Sequence, residues 1–338
     1  MTSPLNETCD PVGTSVKPFF MLVYSLLFLV GLLLNGLILK FYCCGAQQQA
    51  SSSLMVYMKN LTAADFLLCL SLPLRISYYG STSVIVWQLY CSFGLSALFL
   101  NMYASILFMC YVAANRYLKI VRPSGTHVLQ SVRTANIVSM VTWTCLLAPS
   151  VTYSIMFLIT QKPLTSTPSH CELLFSASVS LMCKIIHTFS AIIFLLVSIS
   201  LVFFYYSISR RVLQAQQTQL ASSNAEKLVK SRRNMLVLVS IFCVCFVPHH
   251  LVRVPFVFLL NTCSVEPVLF YLKEVATMVS VFNVCLDPVV YFFLCKTFRA
   301  QVRKASRRAN IQQANTEIHT TLNTLPQEPK SQCSLQNR

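Results

Sequence analysis

Acidic residues are scarce in this chain: ten Asp and Glu in 338 residues, against 26 Lys and Arg. Charged residues of both signs make up 11%, far below the roughly one-quarter of soluble domains, while hydrophobic residues reach 55%. So few ionised side chains cannot clothe a soluble surface, and the composition is that of a membrane protein. Glycine is also sparse, at seven residues. No Gly-rich phosphate loop, no GxSxG nucleophile turn and no HExxH metal pair occurs, so no enzyme chemistry is indicated. No inverted repeat with broken helices suggests a carrier. The first fifteen residues have neither a basic start nor an apolar core, so no cleavable signal peptide is expected and the first span acts as its own targeting signal.

What is present is a series of apolar runs. Seven stretches, roughly 18–44, 52–79, 89–120, 133–158, 174–209, 230–261 and 267–294, are each long enough to cross a bilayer as a helix. The expected fold is an all-α membrane protein, a seven-transmembrane helix bundle with a short amphipathic eighth helix. The net charge of +16 would suggest nucleic acid in a soluble protein. Here the cations fall in short links instead: Arg116 to Arg133, Arg210 to Arg233, and Lys296 to Arg308. By the positive-inside rule those links and the tail lie inside and the N-terminus outside, and no nucleic-acid partner is expected. The domain reading is an extracellular arm 1–17, a bundle 18–294, an amphipathic helix 295–309 with Phe298 and Val302 among basic residues, and a disordered tail 310–338. Asn6-Glu7-Thr8 fits a glycan acceptor on the arm. Asn60-Leu61-Thr62 has the same pattern but lies within a span and is discounted. Most of the fifteen cysteines sit in apolar segments, where cysteine serves as a small hydrophobe.

Polar residues inside membrane spans are costly and usually functional. Here Asn35 follows Gly31, Asp65 ends Leu61-Thr62-Ala63-Ala64-Asp65, and Asn115-Arg116-Tyr117 closes the third span. Trp143 marks the fourth, Phe242, Cys245 and Pro248 the sixth, and Asn283-Val284-Cys285-Leu286-Asp287-Pro288-Val289-Val290-Tyr291 the seventh. Taken in order, this set resembles the rhodopsin-like (class A) G-protein-coupled receptors over about 280 residues. The resemblance implies a multi-pass plasma-membrane receptor with an extracellular ligand, a heterotrimeric G protein inside, and arrestin and a receptor kinase acting on the tail at residues such as Thr320, Thr321, Thr324, Ser331 and Ser334. It implies a disulfide between Cys91 and Cys171 and a second between Cys9 and Cys263. It implies an allosteric sodium ion held by Asp65, Ser105, Asn283 and Asp287, the alternative being a hydrogen-bonded polar core without an ion. Arg116, Tyr206, Phe246, Pro248 and Tyr291 match the activation switch. Four features depart from the common pattern: Asn115 stands for the usual acid, Phe246 for tryptophan, Asp287 for asparagine, and the fifth span lacks proline.

Two subfamilies compete for the ligand. Phe246-Val247-Pro248-His249-His250-Leu251-Val252-Arg253 and Phe270-Tyr271-Leu272-Lys273-Glu274 resemble the purinergic nucleotide receptors of the ADP and UDP-sugar type. The adjacent histidines and Asn224-Ala225-Glu226 resemble the platelet-activating-factor receptor. The residues themselves point to an anion: His250 and Arg253 share a helix face, Lys273 tops the seventh span, and Lys184 and His187 flank the fifth. Tyr103 supplies a hydroxyl and ring. The competing reading pairs Arg253 with Glu274, lets Lys273 snorkel, and makes His249 a packing residue. Phe99, Phe256 and Phe175 stand where the nucleotide branch carries polar or basic groups, which favours a more apolar ligand such as a lysophospholipid. A non-signalling decoy is the third reading, suggested by Asn115 and Phe246.

Overall fold

A computed structural model of the chain describes residues 16–44, 52–121, 128–160, 171–217, 222–259 and 266–294, and short helical pieces at 298–300, 303, 307 and 310–313. Among the described residues there is helix and no strand. Seven helices are long and apolar enough to cross a membrane: α1 (Lys17–Cys44), α2 (Ser53–Gly80), α3 (Val84–Val121), α4 (Val132–Thr160), α5 (Ala177–Gln217), α6 (Ser222–Leu259) and α7 (Val268–Leu294). Large apolar side chains such as Leu33, Met140, Ile159 and Ile199 lie exposed, while Asn35, Asp65, Ser105, Asn283 and Asp287 are buried. That inversion is what lipid demands: apolar faces outward, polar groups paired within the bundle. The chain divides into two units, Met1–Tyr291 and Phe292–Arg338. The amphipathic helix expected at 295–309 and the tail beyond it fall largely outside the described residues. Asn6, Cys9 and Cys263 do so entirely.

Three helices begin at serine caps. Ser52 Oγ accepts from the Met55 amide at 3.3 Å, Ser131 Oγ from Thr134 at 3.0 Å, and Ser176 Oγ from Val179 at 3.2 Å. Each satisfies a first-turn donor that the helix itself leaves open. The helix ends depart from the sequence expectation in three places. α5 and α6 run to Gln217 and from Ser222, beyond the expected 209 and 230. Hydropathy stops at the bilayer edge, but Gln, Ala, Leu, Glu and Lys keep a helix going in water. α3 starts at Val84 and contains a π turn, Tyr90–Gly94, that no hydropathy pattern announces. In that turn the Tyr90 ring lies over Gly94, where an added Cβ would stand 2.5 Å from a ring carbon.

The π turn also sets Cys91, which is disulfide-bonded to Cys171 with the Cα atoms 5.5 Å apart. At the centre of the bundle, Asn35 on α1 donates to the carbonyls of Gly31 (3.0 Å) and Val284 (2.9 Å), clamping α1 to α7. Gly31 permits that approach: a Cβ there would meet Val284 at 2.7 Å. Trp143 Nε1 donates to Asn60 Oδ1 at 2.8 Å, so Asn60 serves α2–α4 packing. α7 breaks at Phe282, immediately before the polar run that begins at Asn283.

Candidate functional site

A cavity of about 120 Å³, room for on the order of ten waters, opens at the end of the bundle that carries the disulfide. Its charged and imidazole lining is Arg75, His187, His249, Arg253, Lys273 and Glu274, and its apolar lining includes Leu98, Phe99, Met102, Pro149, Ile186 and Phe175. Arg253 on α6 donates through Nε (3.2 Å) and Nη2 (2.9 Å) to His187 Nε2 on α5. A guanidinium cannot accept, so that nitrogen is the acceptor and His187 is neutral. Phe256, fully buried one turn from Arg253, lies 5.5 Å from its guanidinium and 4.5 Å from the Lys273 ammonium. Lys273 also lies 4.8 Å from the Phe270 ring. Two cations from adjacent helices thus share one aromatic ring, an attraction of roughly 0.5–2 kcal/mol each.

On the opposite wall Arg75 of α2 donates to Glu274 Oε2 of α7 at 2.8 Å, with the side chains 3% and 6% exposed. The same guanidinium donates to the hydroxyls of Tyr90 (2.5 Å) and Tyr79 (3.3 Å). Tyr79 in turn donates a short hydrogen bond to Glu274 Oε2, and Lys273 stands 3.5 Å from Oε1. Among the described residues the cations recorded on Glu274 are Arg75 and Lys273, and Arg253 bonds His187, rather than the Arg253–Glu274 pairing considered from sequence.

Below the cavity, Phe99 packs 4.7 Å from Tyr103, whose hydroxyl bonds His250 Nε2 at 2.9 Å. The other ring nitrogen, Nδ1, donates to the Phe246 carbonyl at 2.8 Å, so Nε2 is the acceptor and Tyr103 the donor. His250 stacks on Phe194 at 3.8 Å, Phe194 on Phe242 at 5.6 Å, and Phe242 meets Phe246 edge-on. An aromatic column therefore runs from the cavity floor to Phe246 and the Pro248 segment of α6. Tyr103 and His250 belong to this column and are absent from the cavity lining, whereas His249 is in it. Lys184 is exposed and outside the lining.

In mid-bundle, Asn101 donates to Asp65 Oδ1 (3.3 Å) and Asn283 to Asp287 Oδ2 (2.9 Å). Asp65 Oδ2, Asp287 Oδ1, Ser105 Oγ and Asn283 Oδ1 have no hydrogen-bond partner among the described residues, though all four side chains are fully buried. Further along, Tyr291 donates to the Met58 carbonyl (2.6 Å) and accepts from Thr62 (2.7 Å), holding α7 to α2. Tyr206 is exposed, its ring 5.9 Å from the Arg210 guanidinium. Asn115, beside Arg116, spends its amide on Ser53 Oγ of α2 at 2.7 Å.

Residues 34–291 match the family described as 7 transmembrane receptor (rhodopsin family). The chain belongs to that family. It is 32% identical over 305 residues to purinoceptor 14 of Bos taurus, covering 88% of each chain. It is 28% identical to G-protein coupled receptor 87 of Mus musculus, covering 88% of this chain and 82% of that one. With purinoceptor 13 of Rattus norvegicus it shares 27% over 323 residues, or 94% and 93% of the two chains. The protein is therefore a multi-pass plasma-membrane receptor with an extracellular ligand and a G-protein partner, not an enzyme.

Of the receptor's expected ligand residues, the structure brings His187, Arg253 and Lys273 to one cavity. Sequence reasoning misses Arg75, although a signal is there: it is a cation inside the second apolar stretch, and such a residue is a site candidate by default. Tyr79 and Tyr90 give no comparable signal, since tyrosines are common near membrane interfaces.

Proposed function

We propose that the receptor binds an anionic, phosphate-bearing extracellular ligand, a nucleotide or nucleotide sugar, in the cavity at the disulfide end. The observation that carries this is the pairing of Arg253 and Lys273 over the Phe256 ring, across from Arg75 in the same lining. Among the described lining residues three cations face one carboxylate. A planar guanidinium and a point-like ammonium suit an oxyanion with several acceptors. Two of the relatives are purinoceptors, in keeping with this. The charge of the polar links sets the N-terminus and the disulfide end outside. The G protein is of the inhibitory type and docks between the inner ends of α5 and α6 near Arg116; arrestin and a receptor kinase act on the tail.

The aromatic column couples the two ends. A ligand that pulls on Arg253 loosens its bond to His187 and shifts α6 about Pro248, where the helix lacks a backbone donor. Mid-bundle, the unpartnered oxygens of Asp65, Ser105, Asn283 and Asp287 suit a hard monovalent cation such as sodium, which would offset the two carboxylates. Those side chains would hold the cation, which would supply the positive charge the two carboxylates lack, and the Asn101 and Asn283 amides position the carboxylates.

The apolar stretch of the cavity, Leu98, Phe99, Met102, Pro149 and Ile186, supports a second reading, a lysophospholipid whose phosphate takes the cations and whose chain takes that stretch. Nucleotide exchange in membranes, run with ADP, UDP-glucose and a lysophosphatidic acid, separates the two. Activation by ADP or UDP-glucose with none by the lipid is the expected outcome; activation by the lipid alone overturns the nucleotide reading. Pertussis toxin silences the response if the G protein is inhibitory.

A further inference from the structure

Glu274 presents two oxygens, and each faces a cation of the cavity: Oε2 meets Arg75 at 2.8 Å and Oε1 meets Lys273 at 3.5 Å. That is the contact pattern an oxyanion of a ligand would make with the same pair. Arg75 itself is held in place by rings, its guanidinium carbon 4.6 Å from Tyr24, 5.8 Å from Tyr79 and 5.6 Å from Tyr90. Its Nη1 and Nη2 are occupied by Tyr90, Tyr79 and Glu274, yet its Nε, also buried, has no partner among the described residues. A caged cation that lines a ligand cavity and keeps one donor open is fixed and incompletely satisfied. Glu274 is the partner that can yield. The Tyr79 hydroxyl that donates to it is neutral and can hold the carboxylate after its cations are taken.

We propose that Glu274 is a built-in stand-in for the ligand's anionic group, so that binding is an exchange of one anion for another on Arg75 and Lys273. The proposal rests on the reading that the cavity takes a phosphate-bearing anion. The energetics favour exchange over opening. Separating this pair without replacement leaves two buried charges unpaired, which is strongly unfavourable, whereas exchange keeps Arg75 paired and leaves Glu274 to the Tyr79 hydroxyl. Glu274 thereby sets the affinity threshold: an anion that outcompetes a carboxylate on both cations binds, and a weaker one does not.

The test uses the full-length receptor, purified, with inorganic pyrophosphate as the probe, and melting temperature as the readout. Glu274→Gln keeps the shape and removes the charge. Its melting temperature without probe falls below wild type, and pyrophosphate restores it at a concentration at least tenfold lower than any that stabilises wild type. In Arg75→Gln/Glu274→Gln, where the competed cation is also gone, that gain disappears. Glu274→Asp, one methylene shorter, gives an intermediate shift and serves if Glu274→Gln does not accumulate. Equal pyrophosphate dependence in wild type and both Glu274 variants overturns the proposal and leaves Glu274 as a brace between α2 and α7. Pyrophosphate behaviour as expected, with neither ADP nor UDP-glucose activating wild type, upholds the stand-in and defeats the nucleotide reading alone.

Discussion

Two buried ionic clusters occupy this bundle, one at each level of α2 and α7. Near the disulfide end, Arg75 and Glu274 have opposite signs, and three tyrosine rings and two hydroxyls surround the guanidinium. In mid-bundle, Asp65 and Asp287 have the same sign, each gains one amide donor, and each keeps an oxygen without a partner among the described residues. Both clusters are out of water. The first is largely satisfied by the protein; the second requires protons or a cation from elsewhere. Breaking one partner therefore has opposite consequences in the two places.

The largest effect is expected at the satisfied pair. Arg75→Met leaves Glu274 with only Lys273 and the Tyr79 hydroxyl and costs up to about 3–5 kcal/mol, while Arg75→Met/Glu274→Met recovers most of it. Melting of the purified receptor measures both; a double variant no better than the single would mean the cost lies in packing around the tyrosines. Next is Gly94→Ala. The new methyl meets the Tyr90 ring, which is already packed 4.2 Å from Tyr78, and the ring must leave its place over Gly94 and under Arg75. A loss of about 1–3 kcal/mol follows, and an unchanged melting temperature would show that the π turn relaxes freely.

The like-charge cluster gives a smaller, conditional effect. Replacing potassium or choline by sodium at ten times its dissociation constant stabilises wild type by about 1.4 kcal/mol. In Asp65→Asn that dependence vanishes, because removing one carboxylate removes the demand for the cation. Sodium dependence persisting in the variant contradicts the assignment of Asp65. The smallest effect belongs to Asn115. Its amide goes to Ser53, so it lends Arg116 no charge. Asn115→Asp adds one, worth about 1 kcal/mol in a partly wet site, and should lower ligand-free nucleotide exchange roughly fivefold at matched surface expression. Equal basal activity would assign the resting restraint to the carboxylate cluster instead.

Hydropathy is sufficient to read the seven spans, because lipid leaves a segment no option but helix. It cannot reveal the water-exposed turns at the ends of α5 and α6, nor the π turn around Cys91, since neither alters apolar periodicity. The candidate site is legible where residues share a face within one helix, as Arg253 does with the cavity wall. It is not legible in the rotation of α6: neighbouring residues point about 100° apart, and His249 rather than His250 lines the cavity. Lys184 departs from expectation for the same reason, its side chain lying exposed on α5. The partner of Glu274 is hidden because α2 and α7 meet across a separation of 199 residues, and only packing brings Arg75 to it. Tyr206 shows the limit of motif reading: its family role describes an active arrangement, while here it faces outward.

The central claim is that the cations of the disulfide-end cavity recognise an anion, and Arg253→Ala tests it most directly. With the compound that activates wild type most potently, at matched surface expression, the concentration–response curve should move to higher concentration by about 30-fold to 1,000-fold, the equivalent of roughly 2–4 kcal/mol for truncating one side of a buried charged contact. A curve that superimposes on wild type would contradict the account.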